Sequence, residues 1–390
     1  MQASRLPRAY LDHNATSPVH PEVAAAVARA LAMPGNPSSI HAEGRAARAA
    51  LEEARAAVAA LVGAAAKRVV FTSGGTEAAN AVLSGALVRR DGIAPTRLLI
   101  GATEHPCVLH GHRFAPARVG VIPVDAAGLI RLDALEAALA EWCGEDVLVS
   151  VQAANNETGV IQPLDAVIAL ARAHGRALVH SDAVQAVGKI PVDTAGLDAL
   201  TLSGHKFAAP KGVGAIVLGD GVGLDGPFLR GGGQEGRLRA GTENLPGIVG
   251  LGVAARLAGE RLAANADVVP AWRDRIEAGL YALAPDLVVF GQGAPRLPNT
   301  LQFAVPGLTA ESAIIALDLA GLAVSSGSAC ASGKVARSHV LAAMGVGPAL
   351  AAGALRVSLG WNSVESDVTR ALVTLERLIA ALYHRQGRAA

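Results

Sequence analysis

Seven short apolar runs punctuate the chain between residues 69 and 218: Val69 to Thr72, Leu98 to Gly101, Val119 to Val124, Val147 to Ala153, Ala177 to Ser181, Ala199 to Ser203 and Gly214 to Leu218. The runs are continuous rather than alternating, which is the pattern of strands covered by helices on both faces. Alanine-rich helical stretches separate them, as in Pro163 to His174, where the proline suits a first helical turn. An α/β domain with a mainly parallel seven-stranded sheet is therefore expected, over about residues 18–255. From Leu257 the pattern changes to a long helical stretch, short strands (Leu287 to Phe290, Thr300 to Val305, Ala354 to Leu359) and a final helix. These predict a smaller α+β domain made of residues 256–390 together with residues 1–17.

Composition narrows the class without fixing a function. With 390 residues, 51% hydrophobic and 17% charged, the chain is core-rich and globular rather than disordered. A net charge of +1 and the lack of a long Lys/Arg cluster argue against a nucleic-acid surface. No uninterrupted apolar run reaches spanning length and Met1 to Arg8 lacks a signal-peptide core, so a cytoplasmic protein away from the membrane is expected. Three cysteines without C-x-x-C spacing make neither a disulfide framework nor a zinc site.

Candidate chemistry begins at Lys206, in Ser203-Gly204-His205-Lys206 directly after the run ending at Ser203. An ammonium closing a buried strand is costly unless it has a task. Twenty-four positions earlier, Asp182 ends another run, and a lysine bound as an imine to an aldehyde cofactor would give both residues one. A carboxylate facing a pyridine nitrogen keeps that ring cationic and able to absorb electrons, and Gln185 could donate to the ring's phenolic oxygen. The plainer reading is that Asp182 caps the next helix, which is compatible with the first. Thr72-Ser73-Gly74-Gly75-Thr76-Glu77 follows a strand and opens a helix, making Gly75 and Thr76 either a phosphate seat or an ordinary cap. His105 and Asn155 also lie just past strand ends, where ligands gather in open α/β sheets. An imidazole at 105 could stack on a cofactor and shuttle protons. Arg356 could hold an amino-acid carboxylate bidentately, although a lone strand arginine is commonly a surface residue.

Cys330 lies in Ser325-Ser326-Gly327-Ser328-Ala329-Cys330-Ala331-Ser332-Gly333, a run of small residues that no core needs. Such a segment reads as an arm that delivers a thiol, because positioning can contribute far more than lowering a thiol pKa of about 8.5. Cys107 and Cys143, flanked by apolar residues, read as buried fillers.

Together these motifs resemble the class V aminotransferase-like enzymes that use pyridoxal 5'-phosphate (PLP, fold type I), and within them the group I cysteine desulfurases of the NifS/IscS type. The resemblance runs from Tyr10-Leu11-Asp12-His13-Asn14-Ala15-Thr16 to about Gly360. It takes in Gly35-Asn36-Pro37-Ser38-Ser39, Pro210-Lys211-Gly212, Arg239-Ala240-Gly241-Thr242-Glu243-Asn244 and the cysteine segment. It implies that Lys206 carries PLP as a Schiff base. Gly75, Thr76, Ser203 and His205 would hold the phosphate, with Thr242 reaching it from the other subunit of a homodimer. Asn155, Asp182 and Gln185 would address the ring, His105 would stack on it, and Asn14, Asn155 and Arg356 would hold the substrate carboxylate. It further implies that Cys330 attacks the sulfur of L-cysteine, that L-alanine leaves, and that the persulfide passes to an iron–sulfur scaffold protein or another acceptor. On a scaffold, Cys330 would be a transient ligand of the nascent cluster. Alanine often stands in the family where this chain has Gly75, which reads as harmless for a backbone donor. Two rivals remain: a class V aminotransferase, which has no need of Cys330, and a catalytically silent assembly platform.

Overall fold

The computed structural model describes residues 8–264, 268–326 and 337–387. In chain order the first elements are β1 (Ala9–Tyr10), α1 (Pro21–Leu31), α2 (Ala42–Leu61), β2 (Val69–Thr72), α3 (Gly75–Ala81), β3 (Leu87–Arg89) and β4 (Arg97–Gly101). Then come α4 (Pro106–Leu109), β5 (Val119–Ile122), α5 (Leu132–Glu141), β6 (Val147–Ser150), α6 (Leu164–His174) and β7 (Ala177–Asp182). β8 (Ala199–Ser203), β9 (Gly214–Leu218), β10 (Val222–Leu224) and α7 (Leu245–Ala264) complete the larger unit. The remainder comprises α8 (Val268–Leu283), β11 (Val288–Val289), β12 (Thr300–Ala304), α9 (Ala310–Leu319), β13 (Leu322–Ala323), β14 (Ser325–Ser326), α10 (His339–Ala343), α11 (Pro348–Ala351), β15 (Leu355–Ser358) and α12 (Glu365–Arg385).

Each of the seven apolar runs becomes a strand of one sheet, in the order β2-β9-β8-β7-β6-β4-β5. Strands β8, β7, β6, β4 and β5 pair in parallel, and β9 alone runs antiparallel, between β2 and β8. The continuous runs are explained by burial on both faces. Val147 and Val149 pack under α2, α5, α6 and α7, whereas Leu148 points the other way, toward α3 and Val108. Two runs overshoot their strands: β5 stops at Ile122 and β6 at Ser150, short of Val124 and Ala153. Val151 N and Ala153 N still donate to the His180 and Asp182 carbonyls (3.1 and 2.8 Å), and beyond the strand Gln152, Ala154 and Asn156 line a cavity at the sheet's C-terminal edge. Pro163 is the N-cap of α6 rather than a first-turn residue.

The anticipated boundary at 255 falls inside α7, whose Leu257 and Ala258 still pack in the large core. Beyond it, β11, β12, β15 and β14 form an antiparallel sheet, against which α8, α9 and α12 bury Ile276, Leu280, Leu317, Leu375 and Ile379. The N-terminal β1 joins this unit by pairing with β13, which places Asp12 to Asn14 at the seam between the two units. Arg55 and Glu235 form a buried two-pronged ion pair (2.7 and 2.8 Å) that ties the glycine-rich loop before Arg239 to α2 and the start of β2.

His180 belongs to β7 in the middle of the sheet, its ring held between the hydroxyls of Ser150 on β6 (2.8 Å) and Thr201 on β8 (3.1 Å). Burial alone pushes its imidazole down to about 3. The fold therefore holds the neutral form, while the unfolded chain takes up a proton near pH 6.5. The resulting stability is complete above pH 6.5 and is lost as pH falls toward the folded value. A His180→Gln variant should lose about 2 kcal/mol less stability than the parent between pH 7 and pH 5. Urea unfolding at the two pH values measures this, and equal losses in both proteins would contradict it.

Candidate active site

A cavity of about 280 Å³ opens at the C-terminal edge of the parallel strands, at the seam of the two units. Its walls come from successive strand ends: Gly75 and Thr76 after β2, His105 after β4, Gln152 and Asn156 after β6, Asp182 ending β7, and Ser203 to Lys206 after β8. Asn14 enters from the N-terminal segment and Arg356 from β15. A second, shallower cavity of about 390 Å³ shares Gly75, Thr76, Ser203 and His205 with the first and adds Ser73, Gly74 and Lys211. The four residues assigned to phosphate thus stand on one shared wall. Gly75 is closely packed in that wall, since a Cβ would lie 2.9 Å from Val184 Cγ2 and 3.3 Å from Ser203 Cβ. Alanine at this position is consequently not neutral in this chain; Val184 would have to move.

Lys206 ends a single helical turn after β8, with Nζ donating to the carbonyls of Asn14 (2.7 Å) and Ala15 (3.0 Å). Asp182 is buried, which raises its carboxyl to about 6, while the Val184 N–H and the charge of Lys206 draw it back. The same Val184 N–H bond (2.9 Å) makes Asp182 the start of a side-chain-closed turn rather than the cap of a helix, because residues 183–190 form turns and no helix follows. His105 does not titrate near neutrality as expected: burial, then Lys206 and His339, lowers it to about 4. Its Nδ1 accepts from the Cys107 N–H (3.2 Å) as the cap of α4, which leaves the ring proton on Nε2. His205 is likewise lowered to about 4, by burial and then by Lys206, Lys211 and Lys189.

Arg356 is not a surface residue. It is 1% exposed, donates to Asp12 Oδ1 and the Asn156 carbonyl (both 2.8 Å), and keeps a buried Nε without a hydrogen-bond partner. Asn14 lines the cavity, but both Nδ2 hydrogens are spent, on the Asn156 carbonyl (3.2 Å) and Thr300 Oγ1 (2.9 Å). As placed it has no donor left for a substrate carboxylate, which corrects that expectation. Asn155 is also corrected, because it does not line the cavity. Its Oδ1 accepts from Glu157 N and Thr158 N and its Nδ2 donates to the Thr103 carbonyl, so it shapes the turn that presents Asn156. Thr242 is exposed and outside the cavity, and Cys330 lies outside the described residues.

This arrangement has close counterparts. Residues 9–371 match the family Aminotransferase class-V. A cysteine desulfurase of Cereibacter sphaeroides is 44% identical over 385 residues, covering 96% of both chains. The chain belongs to the class-V aminotransferase family, among its cysteine desulfurases. An IscS-like cysteine desulfurase of Mycobacterium tuberculosis is 41% identical over 382 residues, covering 95% of this chain and 96% of that one. Among solved structures, a NifS-like protein from Rickettsia africae superposes with a TM-score of 0.85 at 32% identity, covering 95% of this chain and 99% of that one. A structure described as SspA in complex with cysteine superposes at 0.74 with 29% identity, covering 91% of this chain and 99% of that one. The architecture is that of fold type I, and the family's enzymes depend on PLP.

The cavity fits that cofactor. A buried carboxyl at Asp182, an amine at Lys206, the donor Gln185 and the wall at Gly75 match a ring nitrogen, an aldehyde, a phenolic oxygen and a phosphate in kind. Sequence reading missed several of the neighbours. Cys107 is a cavity residue with Sγ 3.0 Å from His105 Nδ1, and Cys143 is exposed, so neither is a buried filler. Glu157 is buried and raised to about 7, against the pull of the Ser338 hydroxyl (2.6 Å) and Arg356. That hydroxyl and Ser325, bonded to Asp12 Oδ2 (3.0 Å), tie both flanks of the cysteine segment to groups around Arg356. Lys189 holds the oxygens of Asn14 and Gln185; its one signal in the sequence was the four-residue step from Gln185. Among the described residues, no cluster could hold a metal ion and no helix is long and apolar enough to cross a membrane.

Proposed function

We propose that the protein converts L-cysteine to L-alanine and passes the sulfur to Cys330 as a persulfide. The observation that carries this reading is near full-length kinship with cysteine desulfurases, joined to Lys206 and Asp182 meeting in one cavity at the strand ends. Bound PLP supplies an electron sink that makes the substrate's carbon–sulfur bond labile. Lys206 anchors the cofactor and carries protons at Nζ. Asp182 holds the ring nitrogen's proton, Gln185 donates to the phenolic oxygen, and His105 covers the ring face with a neutral imidazole. Gly75, Thr76, Ser203 and His205 seat the phosphate, with exposed Thr242 contributing to a second copy's site in a homodimer. Arg356 is the cation for the substrate carboxylate, and its buried, unpartnered Nε is the group such an anion would satisfy. The balance is one thiol and one cysteine in, one alanine and one persulfide out: carbon–sulfur breaks, sulfur–sulfur forms, and a proton replaces sulfur on carbon. An iron–sulfur scaffold or another thiol then accepts the sulfur.

Incubating the purified protein, loaded with PLP, with one equivalent of L-cysteine tests this. Alanine and protein-bound persulfide should appear in equal amounts in the first turnover. Absence of alanine, or alanine formed only when a keto acid is added, would favour the aminotransferase reading instead.

A further inference from the structure

Lys189 is a second lysine near Lys206, and it stands outside the cofactor cavity. It lines an adjoining cleft of about 620 Å³ between the two units, together with His13, Phe207, Asn299, Trp361 and Lys206, which also lines the cofactor cavity. Its hydrogen bonds to the site run through two carboxamides. Its Nζ donates to Asn14 Oδ1 at 2.7 Å and to Gln185 Oε1. Gln185 Nε2 in turn donates one hydrogen to the Asn14 carbonyl at 3.0 Å. Backbone bonds from Ala186 N and Val187 N to the Ala183 carbonyl, and from Ile190 N to the Ala186 carbonyl, wind residues 183–190 into tight turns. That winding brings Lys189 beside Gln185.

A carboxamide can face a neighbour with either its oxygen or its nitrogen, and the two faces have opposite hydrogen-bonding character. An ammonium has donors only, so the face it meets must be oxygen. Burial, then Lys206 and Arg356, pushes the Lys189 ammonium well below the usual lysine range. A neutral amine would keep two N–H donors for the same two oxygens.

We propose that Lys189 is a positioning residue that locks the Gln185 carboxamide with its oxygen turned away and its remaining N–H turned into the cofactor cavity. The inference rests on the PLP-dependent reading above. With this lock in place, Gln185 can only donate to an anionic phenolic oxygen on the ring. Without it, only the Nε2 bond to the Asn14 carbonyl still holds the orientation, and the amide can more readily turn over and set its own oxygen lone pairs against that anion. The imidazole of His13 and the cations Lys206 and Arg356 also surround this corner, so loss of a positive charge must be separated from loss of the lock.

The test is a pH titration of the visible absorbance of PLP-loaded protein without substrate. In Lys189→Met the proton shared between imine and phenolic oxygen should be held about tenfold more tightly, the scale of one hydrogen bond to a charged group. Lys189→Arg, which keeps donors only, should return most of the shift. In a Gln185→Met background, Lys189→Met should add nothing further. An unchanged midpoint in Lys189→Met, or an additive shift in the double variant, overturns the proposal. If Lys189→Met does not accumulate folded, Lys189→Gln, which can present either end to the amide, is judged by the same midpoint. Parent protein that takes up no PLP would instead defeat the functional reading.

Discussion

Lys206→Ala should abolish alanine formation from L-cysteine, by about 10⁴-fold or more, and remove the yellow absorbance of the bound cofactor. Two separate losses combine. The covalent anchor disappears, and so does the amine that, alone among the described residues lining the cavity, can carry protons between substrate carbons, a role that by itself contributes about 10²- to 10⁴-fold. Among the described residues the side chain has no equivalent in the cavity. Lys189 is committed to Asn14 and Gln185 and lines a different cleft. Quantifying alanine and recording the absorbance of the same sample measures both effects. Turnover above about one per cent of the parent's, a loss smaller than the roughly 10²-fold lower bound for proton transfer alone, would remove Lys206 from the chemistry.

Cys330→Ala should separate the two halves of the reaction. Persulfide and alanine should fall by about 10³-fold or more, while the yellow cofactor remains bound. A thiol with an ordinary pKa is a few per cent thiolate at neutral pH, so acidifying it further gains only about tenfold to thirtyfold. Placement can contribute effective concentrations of order 10⁵ M. A thiol added at millimolar levels should therefore rescue the variant only feebly. Full turnover in Cys330→Ala would rule out this thiol, and alanine formation that persists only with a keto acid would favour an aminotransferase. The pair of variants is diagnostic because Lys206→Ala loses colour and turnover together, whereas Cys330→Ala loses turnover alone.

The legible parts of this protein were those with a local physical signature. Runs such as Ala177–Asp182 and Ala199–Ser203 are apolar on both faces, and that marks a covered strand wherever it occurs. Asp182 and Lys206 stood out because ionisable groups at the ends of such runs are costly unless used. Strand ends were less readable. The run continues through Val151 and Ala153, which still bond to β7 although the regular strand stops at Ser150, and apolar character alone does not mark where a strand gives way to a loop.

Local pattern along the chain was enough for the seven strands of the large sheet, the main strands of the smaller unit, the candidate lysine, acid and thiol, and the family, but not for short elements such as β3, β10, β13 and β14. Tertiary structure alone decided which polar groups are spent and which are free. Arg356 meets Asp12 across 344 positions, Lys189 meets Asn14 across 175, and Glu157 meets Ser338 across 181. Those meetings changed the reading of Asn14, took Asn155 off the cavity wall, brought Cys107 onto it and drew Lys189 into the site. Periodicity and turn chemistry act over a few residues and can be read along the chain. Hydrogen-bond satisfaction in a buried seam is settled only when strand order and domain packing bring distant segments together.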